Sequence, residues 1–255
     1  MRKLSLIILM LLPFMISTAQ YQDEFYNNGT AIGVCYTSIG HNMTPVRGKV
    51  TTSDGERPYK SSGSMFGFTL FTEWNQTGAW KYNWSYKSHF IDDFVAILQA
   101  IKNMNDANKE ASPWFYCFLE ANNGLNVYYD RSTRVAAGLS FNIFQLEFWA
   151  SNGEYNAQRG LYFNFGPYVN GDYMLSNDLL LKMGFSTTFP VSGVKGAKKP
   201  VFINFTPGIM MNNGLYFGID YTIISGLEDS APGKTGTSLS GSRFELKFAL
   251  FTDIL

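Results

Sequence analysis

In residues 80–89 the even positions are Trp80, Tyr82, Trp84, Tyr86 and Ser88, and the odd positions are Lys81, Asn83, Ser85, Lys87 and His89. Successive side chains of an extended chain point to opposite faces, so this segment reads as a strand with one aromatic face and one polar face. The alternation returns along the chain. Phe66, Phe68, Leu70 and Trp74 oppose Gly67, Thr69, Phe71 and Glu73, and Leu161, Phe163, Phe165 and Val169 oppose Tyr162, Asn164, Gly166 and Tyr168. Leu179, Leu181, Met183 and Phe185 oppose Lys182, Gly184 and Ser186, and Val201, Ile203, Phe205 and Ile209 oppose Asn204, Thr206 and Gly208. Leu215, Phe217, Ile219, Tyr221 and Ile223 face away from Gly218, Asp220 and Thr222, and Phe244, Leu246, Phe248 and Leu250 away from Arg243, Glu245 and Lys247. The fold class is therefore all-β.

Composition narrows the choice of β fold. Charged residues are only 16% of the chain while aromatics are also 16%, against about 25% charged residues in ordinary soluble domains. With 20 basic and 20 acidic residues the net charge is zero, which leaves no electrostatic case for a nucleic-acid partner. The first residues have the layout of a secretory signal: Arg2 and Lys3, then an apolar run interrupted by Pro13, then Ser17, Thr18 and Ala19. That run falls short of the ~20 residues of a spanning helix, so cleavage after Ala19 is expected, leaving 20–255 as a single domain. An exported chain that is aromatic-rich, poor in charge and without a long apolar run folds as a soluble β-protein or crosses a membrane as strands.

Segment length separates these two. The alternating runs approach the ~9–11 residues of a tilted spanning strand, beyond the ~5–6 of soluble strands. Twelve strands are expected, at about 29–41, 63–75, 78–90, 112–122, 124–131, 133–142, 143–151, 160–170, 177–189, 200–211, 214–225 and 242–252, with ten as the alternative if 124–151 is divided differently. Tight turns are expected at 75–78, 122–124 and 212–214, where Asn and Gly supply positive φ, and a further one on the same side at Asn142. Long connections carry Asp54, Asn105, Lys195 and Lys234 at the other end, and Asp130 to Thr133 would make a short turn on that same side. Gly33, Gly67, Gly138, Gly166, Gly184, Gly208 and Gly218 fall on the polar face, where a curved wall leaves least room. One segment breaks the pattern. Ile91, Phe94, Val95, Leu98, Ile101 and Met104 recur at helical spacing, which predicts an amphipathic helix over 91–106 in a long connection.

With short turns at one end, long connections at the other and an even strand count, the chain resembles the small outer-membrane β-barrel proteins of Gram-negative bacteria, of a Bacteroidetes-like type. Phe244, Leu246, Phe248, Leu250 and Phe251 look like the closing strand that the barrel-assembly machinery reads in such proteins, although Thr252 to Leu255 displace the terminal aromatic. The resemblance implies a closed antiparallel up-and-down transmembrane barrel, outer-membrane lipid and the assembly machinery as partners, and the cell outer membrane as location after signal-peptide export. The expected role is a non-enzymatic, porin-like conduit or membrane scaffold.

Inside such a barrel Glu73, Lys81, Lys87, Glu147, Lys182, Asp220, Glu245 and Lys247 would line the lumen. They carry both signs, and their mutual neutralisation points to a narrow or occluded lumen. Two other roles compete with the scaffold reading. In an outer-membrane lipid-modifying enzyme, a histidine at the external rim, His89 or His41, would act as base; Ser88 beside His89 points to the opposite face and cannot be its nucleophile. In a secreted β-sandwich adhesin, Cys35 and Cys117 could pair across the two sheets, whereas in the barrel two strands keep them apart. The sequons at Asn83 and Asn204 fall mid-strand on the inward face, which argues against glycosylation. No motif for a metal, nucleotide or other cofactor is present.

Overall fold

The computed structural model describes residues 28–44, 49–52, 55–58, 62–89, 115–151, 155–191, 197–198, 200–229 and 238–252. Ten long strands form the wall: β1 (Gly29–Thr44), β4 (Ser62–Asn75), β5 (Tyr82–Lys87), β6 (Phe115–Tyr129), β7 (Thr133–Ser151), β8 (Tyr155–Ser176), β9 (Leu179–Pro190), β11 (Val201–Met211), β12 (Leu215–Asp229) and β13 (Ser238–Thr252). Each pairs antiparallel with the wall strand that follows it, and β13 returns to β1 from Thr30 opposite Thr252 to Thr44 opposite Ser238. The sheet is thereby closed and has no free lateral edge along the shared wall. Three short strands sit beyond it. β2 (Lys49–Thr52) and β3 (Gly55–Pro58) form a hairpin that touches β8 at Asn156, and β10 (Ala197–Lys198) pairs with the end of β12. A closed ring excludes the sandwich.

The count is ten rather than twelve because two expected turns are strand interiors. Asn122, Asn123 and Gly124 lie within β6, and Asn142 lies within β7. Their turn-like composition has another cause. Asn122 is inward and its amide donates to Ser85 Oγ at 3.1 Å and Glu120 Oε1 at 3.0 Å. Asn142 donates to Thr188 Oγ1 at 3.0 Å and accepts from Asn164 at 2.7 Å. Gly124 stands opposite Gly138, and a Cβ on it would meet the Tyr168 hydroxyl. In a barrel with a polar inside, Asn and Gly serve as interior residues.

Merging these strands also moves a turn. The short connections at 76–81, 130–132, 177–178 and 212–214 share one rim with residues 29 and 252, so the turn at Asp130 is at the terminal rim and not at the opposite one. The expected long connections with Asp54, Asn105, Lys195 and Lys234, and the expected helix 91–106, lie outside the described residues.

Across the wall the two faces differ as the alternation requires. Phe66 (71%), Leu139 (64%) and Phe248 (53%) belong to a long series of exposed, outward hydrophobic residues. Tyr82, Trp84 and Tyr86 are outward while Asn83, Ser85 and Lys87 are buried. Trp80 and Lys81, expected in that strand, belong to the preceding turn. Cys35 in β1 and Cys117 in β6 are separated by β4 and β5. Three steps of ~4.8 Å put their backbones about 14 Å apart, beyond the ~6.8 Å limit for a disulfide.

Two predictions follow from the rims. Single cysteines placed at Lys81, Arg131 and Asn213 will behave alike in intact cells, all labelled or all protected from an impermeant maleimide, and a split result would break the up-and-down topology. At the 130–132 turn, the Tyr128 hydroxyl (2.6 Å) and the amides of Ser132 (2.8 Å) and Thr133 (2.7 Å) donate to Asp130. First the Tyr128 bond, then the two amides, hold its carboxyl down to about 2. A depressed carboxyl stabilises the folded chain above its unfolded value and loses that effect as pH falls through the folded one. Melting curves of wild type and Asp130→Asn will therefore differ at neutral pH and converge as pH falls from about 4 to about 2.

Candidate functional site in the barrel interior

Inward side chains form an apolar cluster toward each rim and two groups of paired charge. Nearest the terminal rim is an apolar layer of Ala31, Phe71, Leu180, Met210, Tyr216 and Ala249, joined by Tyr129, Met174 and Phe251. Phe71 meets the edges of Tyr216 at 5.1 Å and Phe251 at 5.2 Å, geometries that aromatic quadrupoles favour. Gly208 and Gly218 make room for this layer, since a Cβ on either would run into the Tyr216 ring. Toward the other rim Phe144 and Phe202 stack at 4.6 Å with Tyr162 at 6.1 Å from Phe202, and Ile39 and Ile224 are buried at that end of their strands.

The charge falls in two groups, one beside the terminal-rim layer, where Glu73 is rimward of Phe71 on β4 and Arg134 is the second residue of β7, and one between the two apolar layers. In one group Arg134 pairs with Asp172, and Lys182 Nζ reaches Glu73 at 2.6 Å and Asp172 at 3.3 Å. In the other, Asp220 is held by Lys87 at 3.2 Å and Lys247 at 2.8 Å, while Glu245 takes Arg243 at 2.6 Å and Lys247 at 3.6 Å. His89 sits between carboxylates, Nδ1 at 3.6 Å from Glu245 and Nε2 at 3.8 Å from Glu120. Glu120 also accepts from Asn122 and Asn204, each at 3.0 Å. The carboxylates of Glu73, Glu120, Asp172, Asp220 and Glu245 are thus matched by the cations of Lys87, Arg134, Lys182, Arg243 and Lys247. Burying such groups costs several kcal/mol per ion unless each is paired and hydrogen-bonded. The matching is what makes a charged interior tolerable.

Little space is left. A cavity of about 40 Å³ is lined by Glu73, Asn83, Lys87, Arg134, Asp172 and Lys182 among others, room for about three waters at ~10–15 Å³ each.

Of the residues expected in the lumen, Glu73, Lys87, Lys182, Asp220, Glu245 and Lys247 lie inside and belong to this network. Lys81 does not: it is exposed on the terminal-rim turn because β5 begins one residue later. The side chains of Glu147 and His41 lie outside the described residues. His89 is not at the rim but almost fully buried in the network, which removes the access a base for lipid chemistry requires. Sequence reasoning missed Glu120, Arg134, Asp172 and Arg243 as lumen charges. Glu120 shares the phase of inward Asn122 and Asn126, so reading β6 as one strand would have found it.

His89, Asp220 and Glu245 place their ligand atoms all within 4.8 Å of one another. Lys87, Lys247 and Arg243 already neutralise both carboxylates, so a divalent ion would meet three cations at the same oxygens.

No family model matches the sequence, and no curated protein matches it. Among solved structures the chain is similar to a Pseudomonas aeruginosa FadL homologue, with 11% identity and a TM-score of 0.35 over 89% of this chain; it spans 65% of that protein's length. It is also similar to the Ralstonia pickettii toluene transporter TbuX, with 8% identity and a TM-score of 0.29 over 88% of this chain and 90% of that one. The outer membrane protein OprG from Pseudomonas aeruginosa gives 9% identity and a TM-score of 0.22 over 90% and 98%. The architecture rests on the strand pairing and not on these likenesses.

The network has a weak point that can be measured. Asp220→Asn leaves Lys87 and Lys247 without their shared carboxylate, whereas Glu73→Gln leaves Lys182 with Asp172. The first substitution will cost about 3–5 kcal/mol and the second clearly less, read as the loss of the compact band on heating in a gel. Equal effects would mean that the pairs do not hold the interior.

Proposed function

We propose that this chain is an outer-membrane β-barrel, exported by the signal at residues 1–19, that serves as a non-enzymatic membrane scaffold with an occluded lumen. The observation that carries the reading is the inversion of the faces. Large hydrophobic residues such as Phe66, Phe68, Leu139 and Phe248 are outward, while Lys87, Asp220, Arg243, Glu245 and Lys247 are buried inside. In water that outward belt would be an aggregation surface, and in hydrocarbon it is matched to its solvent. The paired charges and the aromatic stack toward the other rim favour an occluded barrel over an open conduit, because the charges inside are held by one another and Phe144 and Phe202 lie across the interior beyond them. Outer-membrane lipid covers the belt, and the assembly machinery reads β13 with Phe244, Leu246, Phe248 and Leu250 facing out.

The experiment is fractionation followed by planar-bilayer recording. The mature protein will partition with the outer membrane, run faster unheated than heated on a gel, and show no steady conductance. Thinning both apolar layers in Phe71→Ala/Phe202→Ala will admit ion leakage. An ohmic conductance in the wild type would replace the scaffold by an open conduit, and recovery in the soluble fraction would overturn the membrane reading itself.

A further inference from the structure

The turn 76–81 holds a residue that its own backbone disfavours. Trp80 has φ of 63°, a left-handed conformation that no other described non-glycine residue adopts. Glycine takes this conformation without steric cost, whereas a bulky aromatic is an outlier there. Outliers of this kind persist where surrounding structure holds them, and they cluster at functional surfaces.

The hold is visible. Trp80 N donates to Asn126 O at 2.7 Å, and Asn126 N donates to Lys81 O at 2.8 Å. The buried Asn126 amide donates to Gln76 O at 2.7 Å and to Gly78 O at 3.2 Å, and Gln76 N closes on Tyr82 O at 2.9 Å. One inward asparagine of β6 thus fastens the turn from behind. The indole gains little in return from its own chain, since Trp80 is 70% exposed. A strained and exposed aromatic has its favourable contact outside the protein.

The surroundings indicate what that contact is. Trp74 and Tyr82 lie beside each other at 5.7 Å on the same outward face, and the bulge in β6 between Asn126 and Tyr128 turns both Val127 and Tyr128 outward. Lys81 and Arg131 are exposed at this rim. Apolar ring bodies with polar tips, at the edge of a hydrophobic belt and beside cations, match the phosphate-bearing headgroup layer of a bilayer.

We propose that Trp80 is a membrane-interface anchor, inserted among phospholipid headgroups at the terminal rim by a turn strained to place it there. The proposal rests on the membrane reading above and is tested so that the two can fail separately. The full-length protein is reconstituted in phosphatidylcholine vesicles with bromine at shallow or deep acyl positions, and the emission lost in Trp80→Phe is taken as that of Trp80. Shallow bromine will quench this emission most and aqueous iodide little. Trp80→Gly will melt at or above the wild type in detergent yet insert into vesicles several-fold more slowly, and Trp80→Tyr will restore the rate. Iodide quenching as complete as for free tryptophan, or unchanged insertion of Trp80→Gly, would overturn the anchor. Protection from iodide that vanishes when vesicles hold one barrel each would overturn it in favour of a second copy of the chain. If Trp80→Gly does not fold, the quenching of the wild type still decides. Bromine quenching of the tryptophans left in Trp80→Phe, without quenching of Trp80, would sink the anchor alone, whereas a wild type that never incorporates would sink the membrane reading.

Discussion

The return of β13 onto β1 is the constraint from which the rest of the molecule follows. Thr30 opposite Thr252 and Thr44 opposite Ser238 mark a ladder along nearly the full length of both strands, joining segments about two hundred positions apart in the sequence. Before that ladder forms, the sheet has two edges and no inside. Once it forms, every residue of period-two phase is assigned either to the enclosed interior or to the surroundings. Ladders between distant segments form late because loop closure must precede them.

Enclosure sets the terms for the interior. Asp172 is shared by Arg134 and Lys182 on its two neighbouring strands, whereas Lys87 with Asp220 and Lys182 with Glu73 join strands on different sides of the ring. Lys87 is on β5 and Asp220 on β12, so this pair acts as a cross-brace through the barrel and not along one hairpin. Such pairs need not add net stability relative to apolar packing, but they penalise any register in which a partner is lost. Around Asp220 and Glu245 the apolar layers above and below keep water from competing for the same oxygens and nitrogens. Specific register and occlusion are thus two results of one arrangement.

The outer face answers to a different solvent. Its residues need no partner within the chain, which is why Phe66 and Leu139 are mostly exposed. At the turn that precedes β5 the outer surface changes from simple hydrophobic cover to amphipathic aromatics fixed by Asn126. Inside and outside meet at that asparagine: an inward polar group fixes the turn that carries an outward tryptophan.

Much of this was legible in residue order. Alternation such as Trp84 and Tyr86 against Ser85 and Lys87 determined strand identity, face assignment and the charged, mutually neutralising interior, because the period of an extended chain is a local property. Glu73, Lys182, Asp220, Glu245 and Lys247 were recognisable as inward from that phase alone. Strand count was not, because Asn122 to Gly124 and Asn142 carry turn chemistry, and only the partners Ser85, Thr188 and Asn164 reveal them as interior residues. Nor was the burial of His89, whose surroundings are Glu120 from β6 and Glu245 from β13. The sequence by itself determined which side of each strand is polar; which polar side chains meet across the interior was decided only by closure, since contacts such as Lys87 with Asp220 and Lys182 with Glu73 join strands on different sides of the ring, and their geometry depends on the number and stagger of strands around it.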